Sequence, residues 1–238
     1  MTIASTIVLS SQMALETQMD VLANNIANQS TPGYKAEQID FAQYVQPDGT
    51  STDAYVQTTG TSRDLKQGPI SKTGNQLDVA LQGPGFLQVK TATGTEYTRN
   101  GQFQLDAQNE IVTPQGYQVL SAAGQPILLP AGATAVTIAQ DGTIASGKAV
   151  LGQVGVVNFA QPGQLVPAGA GLFVTDQTAQ PATGTKVMQG MIEGSNVEPI
   201  IAMAQLMAAA RQAGSVKEYL SSQASLEQNA LQTLGKTV

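Results

Sequence analysis

The chain contains no cysteine and no histidine, and only 12% of its 238 residues are charged. Without cysteine there is neither a disulfide framework nor a thiolate metal site. Without histidine the commonest general base, the commonest metal ligand and the usual switch near neutral pH are all missing. A formal net charge of −6 offers no positive field to a phosphate backbone, so nucleic acid is not expected as a partner. Long apolar runs are also lacking. The best of them, such as "PIIAMAQLMAAA" at residues 199–210, fall short of the roughly 20 residues a membrane span needs. No Lys or Arg precedes Lys35 and the first apolar stretch is brief, so a conventional secretory signal is not expected and any export would use another route. Neither a cofactor nor a bound metal is expected.

What is present is organised by periodicity. In residues 4–28, Leu15, Met19, Leu22 and Ile26 recur at a 4-3-4 spacing after Val8, which lines one face of a helix. Residues 198–234 repeat the device with Met203, Leu206, Ala210, Ala213, Leu220, Ala224, Leu231 and Leu234. The small residues let another helix approach closely. Helices of these lengths would be about 37 and 55 Å long, narrowly striped and built to pair. Leu15, Met19, Leu22 and Ile26 are the candidate seam of the first, and Leu206, Ala213 and Leu220 that of the second.

Between them, residues 76–190 read as β. "QLDVAL" alternates Leu77, Val79 and Leu81 with polar or small neighbours, and Asn100-Gly101 stands between two alternating runs as a hairpin signal. Strands are expected at 111–113, 117–120, 135–139, 154–159 and 172–175. Turn signals every ten residues or so favour an antiparallel barrel or sandwich over βαβ units. Residues 29–75 are polar with no sustained period and read as an extended linker. The expected fold is thus α+β: a helix in 1–28, a linker in 29–75, a central antiparallel all-β domain in 76–190 and a closing segment and helix in 191–238.

The first helix runs into "LANNIANQSTPGYK", residues 22–35. Pro32 has no backbone N–H and disfavours helical geometry at Thr31, while Gly33 permits the turn that redirects the chain. Asn24, Asn25 and Asn28 crowd this changeover. Their amides either terminate the helix against solvent or satisfy backbone groups of adjacent chains. Other features favour plain structure over chemistry. "GPGF" at 83–86 lacks the Lys-Ser/Thr tail of a phosphate loop and reads as a tight turn. Asp64, Asp78, Glu96 and Asp106 are scattered through β-rich sequence, where a glycosidase would need two facing carboxylates. The "DGT" turns at Asp48 and Asp141 lack the acidic series of a calcium loop. Met191, Met203 and Met207 read as core or seam packing.

These stretches carry a resemblance. "LANNIANQSTPGYK" resembles the N-terminal signature of the bacterial flagellar rod and hook protein family, close to L-A-N-N-[LI]-A-N-x-x-T-P-G-[FY]-K. "SRDLKQGPISKTGNQLDVALQGPGFLQV", "EYTRNGQFQLD", "VTPQGYQVL" and "DGTI" are similar to the middle of its rod members, with "LDVAL" closer to the proximal-rod branch than to the distal-rod one. "EGSNVEPIIAMAQLMAAARQ" resembles the family's C-terminal segment. The matches keep their order along nearly the whole chain. Three departures stand out: Glu198 replaces a usual Asn, Gly214 enters the long helix at a cost of about 1 kcal/mol relative to Ala, and Asn109 replaces a turn Gly.

The resemblance implies a structural, non-enzymatic subunit of the flagellar basal body. It implies passage through the flagellar type III export apparatus and helical polymerisation with copies of itself and other rod proteins beneath the hook. The end helices would pair as a coiled coil in the inner layer of the tube. Outer ring proteins are further candidate partners. It also favours assembly contacts for Asn24, Asn25, Asn28, Pro32 and Gly33. Free helices with unpartnered stripes are marginal, so the ends are expected to order on incorporation. Readings from other classes are a secreted β-rich adhesin and a peptidoglycan-cleaving enzyme resting on paired carboxylates.

Overall fold

The computed structural model describes residues 3–48, 51–130, 132 and 136–235, arranged as two compact units. The first unit takes residues 1–27, 37–62 and 198–238; the second takes 28–36 and 63–197.

In the first unit, helix α1 (Ile3–Ala27) packs against helix α2 (Pro199–Gly235). Leu15, Val21 and Leu22 are buried and Met19 and Ile26 half-buried. On α2 the covered line is Ala202, Leu206, Ala209, Ala213, Val216 and Leu220, alternating steps of four and three, the repeat that keeps one seam facing a partner. Met203 and Ala210, assigned to this stripe from sequence, fall outside it and are exposed. Ala202 and Ala209 take the places assigned to Met203 and Ala210, while Leu206, Ala213 and Leu220 lie in the seam as expected. Leu231 and Leu234 lie outside the described side chains. The helix runs unbroken through Gly214, whose glycine costs helical stability without breaking the hydrogen-bond ladder.

The stretch read as linker contains two long strands, β1 (Glu37–Asp48) and β2 (Ser51–Arg63), paired in a ribbon of their own. Asp48-Gly49 sits between them, a dipeptide that favours tight hairpins, and Thr, Val and Tyr enrich β2. The polar composition hid these strands because a two-stranded ribbon need not carry a buried face.

The second unit is β throughout. Its strands are β3 (Ile70–Lys72), β4 (Val79–Gln82), β5 (Phe86–Thr91), β6 (Gly94–Thr98), β7 (Gln104–Leu105), β8 (Ile111–Val112), β9 (Gln118–Val119), β10 (Val136–Ile138), β11 (Thr143–Ser146) and β12 (Ala149–Gln153). They continue as β13 (Val156–Asn158), β14 (Val166–Gly169), β15 (Leu172–Val174), β16 (Gln180–Pro181), β17 (Lys186–Gln189) and β18 (Met191–Glu193). The largest sheet follows the order β14-β15-β6-β5-β9-β8-β7, with β13 joining β5 to β16. A three-stranded sheet (β10-β11-β12) and the pairs β17-β4 and β18-β3 complete the unit, every pairing antiparallel where its register is resolved. Among the described residues no sheet closes into a barrel.

Val79, Leu81, Leu87, Val89, Val119 and Ile144 are almost wholly excluded from water and head the main core. A second cluster gathers Phe86, Phe159 and Phe173, with Tyr97 edge-on to Phe159. Asn109 takes the left-handed turn geometry its position demands, at φ 63°.

Asn100-Gly101 is not a two-residue hairpin. β6 pairs with β5 and β15 and β7 with β8, so the chain changes partners between them. Gly101 instead lies against β4, accepting from the Val79 N–H at 2.9 Å, and a Cβ there would overlap the Val79 carbonyl. Close approach of two backbones, rather than a turn, is what requires this glycine.

Candidate functional site

Helix α1 stops because the chain behind it is committed to a turn. The Thr31 N–H donates to the Asn28 carbonyl at 3.1 Å, the Thr31 hydroxyl to Asn28 Oδ1 at 3.2 Å, and the Tyr34 N–H to the Thr31 carbonyl at 3.2 Å. Pro32 sits inside this turn, and Gly33 follows at φ +70°. A Cβ on Gly33 would overlap the Asn100 backbone nitrogen, so packing and conformation both demand glycine here.

The three amides have different surroundings. Asn25 is buried in the first unit, where its Nδ2 donates to the Glu37 carbonyl and its Oδ1 accepts the Glu37 N–H, both at 2.8 Å. Its side chain thus occupies the donor and acceptor of one residue at the start of β1, as a neighbouring strand would. Asn28 is part of the turn, and Asn24 is exposed. Within this chain, then, Asn25 and Asn28 satisfy backbone groups or hold a turn.

The second unit holds a group of residues that were not singled out from sequence. Glu193, at the end of β18, has a fully buried carboxylate. Its Oε1 accepts from Lys35 Nζ at 2.6 Å and from the Gly68 N–H at 3.0 Å. Its Oε2 accepts from Arg99 Nε at 2.9 Å and lies 2.8 Å from Arg99 Nη2. The rest of the guanidinium is consumed by carbonyls: Nη1 donates to Gly83 at 2.9 Å and Gly85 at 2.7 Å, and Nη2 to Leu81 at 3.3 Å. The "GPGF" turn is therefore a cradle for Arg99, built from its own carbonyls rather than from anion-binding N–H groups. Lys35 also donates to the Lys66 carbonyl at 2.7 Å. Burial pulls the Lys35 ammonium below its ordinary value, with the Glu193 carboxylate opposing that shift.

Asn196 performs the polar counterpart. Its Oδ1 accepts the Ala36 N–H at 2.7 Å, and its Nδ2 donates to the carbonyls of Asp64 at 2.7 Å and Lys66 at 3.1 Å. Arg63 adds a bond from Nη1 to the Lys35 carbonyl at 2.9 Å and lies over the Tyr34 ring. Three chain segments, 33–36, 63–68 and 193–196, are thus fastened together by Glu193 and Asn196, and Arg99 ties them to β6. The signal was available: Lys35 closes "TPGYK", Arg99 lies in "YTRNG", and Glu193 and Asn196 lie in "EGSNVEP", with Lys35 and Arg99 each the one charged residue of its motif.

The scattered carboxylates have separate local duties. Asp78 accepts from Thr73 and Asn75, Glu96 from Thr91 and Thr93, and Asp106 caps the N–H groups of Gln108 and Glu110. Asp64 accepts the Lys66 N–H, and Asp141 turns the chain through the Thr143 N–H and hydroxyl, which hold its carboxyl below the usual range. Among the described residues no group of His, Cys, Asp or Glu could hold a metal ion, and no helix is long and apolar enough to cross a membrane.

Comparison with known proteins places these motifs. Residues 8–35 match the family described as Flagella basal body rod protein, residues 80–146 the Flagellar hook protein FlgE/F/G D1 domain, and residues 188–213 the Flagellar basal body rod FlgEFG protein C-terminal family. The flagellar basal-body rod protein FlgF of Caulobacter vibrioides is 35% identical over 235 residues, 96% of each chain. The Escherichia coli FlgF is 38% identical over 213 residues, 82% of this chain and 83% of that one. FlgG of Agrobacterium fabrum is 34% identical over 230 residues, 83% of this chain and 86% of that one. Lys35, Arg99 and Glu193 fall one in each of the three matched regions, or in the run of sequence that the whole-chain matches span, and the chain belongs to the flagellar basal-body rod protein family.

Proposed function

We propose that this chain is a structural subunit of the proximal flagellar rod, polymerising helically with copies of itself and with other rod proteins as part of the drive shaft. The observation that carries the reading is the FlgF likeness across 96% of both chains, with the FlgG likeness supporting the distal rod as the second reading. In the proposal, α1 and α2 form a coiled coil in the inner layer of the tube, with Leu15, Met19, Leu22 and Ile26 facing Leu206, Ala213 and Leu220. Asn24, Asn25, Asn28, Pro32 and Gly33 shape the junction that neighbouring subunits contact. Subunits that associate head to tail without closing a ring build a filament, and α2 keeps exposed apolar residues suited to this, among them Ile200, Met203 and Met207.

The role needs no catalysis, cofactor or metal. Delivery is through the flagellar type III export apparatus, the working place is the periplasmic part of the basal body, and outer ring proteins are neighbours. The helices order on incorporation, because an isolated pair with one seam is marginal.

The test is quantitative mass spectrometry of hook–basal bodies purified from the native organism. Retention at a low, fixed ratio to the hook protein is expected, and absence from intact basal bodies would overturn the reading. Leu22→Asp places a charge at a buried seam position at a cost of several kcal/mol, on the order of 3, and should abolish incorporation. Strong amide protection across residues 15–26 in the free monomer would refute ordering on incorporation.

A further inference from the structure

A cleft of about 300 Å³ opens in the second unit against the buried ion cluster, lined by Lys35, Arg99, the Gly83–Phe86 turn, Leu65, Gln67, Asn158 and Pro162. Its chemistry is unbalanced. Two cations, with side chains 1% and 4% exposed, share the single carboxylate of Glu193. The next carboxylate, Asp64, acts on Lys35 from a distance and lies 3.7 Å from the exposed ammonium of Lys66, so it pairs directly with neither buried cation and positive charge stays in excess. Burying charge is costly: desolvation lowers the Lys35 affinity for its proton, Glu193 opposes that shift, and the neighbouring Arg99 adds to it.

The hydrogen-bonding groups lean the same way. Gln67 is consumed at both ends, donating to the Leu81 carbonyl and accepting from the Gly83 N–H. Asn158 spends its Oδ1 on the Phe159 N–H, which commits its amide oxygen and leaves the NH₂ as the group the cleft can use. Lys35 has three protons and gives two of them to Glu193 and Lys66. The cleft therefore presents donors and positive charge between the apolar walls of Leu65, Phe86 and Pro162. A volume of about 300 Å³ lies at the small end of ligand sites, enough for one side chain and its flanking backbone.

We infer that this cleft receives an aspartate or glutamate side chain from an extended segment of a second copy of this chain, the carboxylate supplying the missing counter-charge. The chain has 17 acidic against 11 basic residues, so a neighbouring copy brings the complementary sign. The inference rests on the rod-subunit reading, since it makes the cleft one of the contacts between subunits.

The test uses the full chain labelled with ¹⁵N. Raising its concentration should move the Asn158 side-chain amide and Lys35 ammonium signals saturably, and N-acetyl-glutamate N-methylamide should displace the contact. Asn158→Asp keeps the acceptor that the Phe159 N–H needs but replaces the donor by a second negative charge. It should weaken both effects at least about tenfold, while the neutral N-acetyl-glutamine N-methylamide should bind as weakly as the acidic probe binds the variant. Binding of the acidic probe without any concentration dependence would overturn the second copy as occupant. No shift from either would overturn the site. If Asn158→Asp fails these tests of contact yet enters basal bodies at the normal ratio, the cleft proposal falls and the rod-subunit reading stands.

Discussion

Replacing Glu193 by glutamine should damage the second unit far more than replacing Lys35 by methionine. The side chain of Glu193 is wholly buried and, among the described residues, is the one carboxylate paired directly with both Lys35 and Arg99. Glutamine preserves its volume and can still accept from Gly68, but it leaves two buried cations facing each other. Removing one partner of a buried pair costs about 3–5 kcal/mol. Methionine at 35 removes the surplus cation, leaves Glu193 paired with Arg99, and leaves the Lys66 carbonyl still bonded to Asn196. Its cost should be about 1–2 kcal/mol, the scale of lost hydrogen bonds. The assay is native-state amide exchange at the Val79 and Leu120 N–H groups, which bond to Gly101 and Gln88 across the core at 2.9 Å. Glu193→Gln should speed their exchange by about two to three and a half powers of ten and Lys35→Met by about one. Equal effects, or a change under about tenfold for Glu193→Gln, would refute the charge bookkeeping of the cluster.

Burial lowers the pKa of Lys35 from its ordinary 10.5, so in the window between its folded value and 10.5 the unfolded chain binds the extra proton. Stability from this group therefore rises with pH across that window, and wild type should gain on Lys35→Met as the pH is raised toward 10.5 in urea denaturation; a falling difference would reverse the assigned sign. Asn25→Ala should release the two bonds to Glu37 and cost about 1–3 kcal/mol, seen as loss of protection at the Glu37 N–H. Gly214→Ala should favour the helical state of α2 by about 1 kcal/mol, because the site is exposed and a Cβ there meets nothing within 4 Å; unchanged helix content of the free chain by circular dichroism would count against it.

Much of this protein was legible before folding because its elements follow local rules. The 4-3-4 spacing of Leu15 to Ile26 obliges a helix with one apolar line, and Pro32-Gly33 obliges its end. Strands at 111–112, 118–119, 156–158 and 172–174 fall where alternation between turn residues placed them. The ribbon at 37–63 escaped because its polar sequence holds no sustained apolar alternation. Asn100-Gly101 misled because a glycine needed for close approach to β4 has the same letters as a glycine needed for a hairpin.

The family motifs and the absence of histidine and cysteine were properties of the one-dimensional chain, since each is written in consecutive residues or in composition. The meeting of Lys35, Arg99 and Glu193 was not. These residues are separated by 64 and 94 positions (99 − 35 and 193 − 99), and no local propensity relates them. Only antiparallel pairing of β18 with β3, and the turn that cradles Arg99, brings their charges within hydrogen-bonding distance. Electrostatic energy in a dry interior depends on separations of a few ångströms, and those distances exist only once the chain has folded.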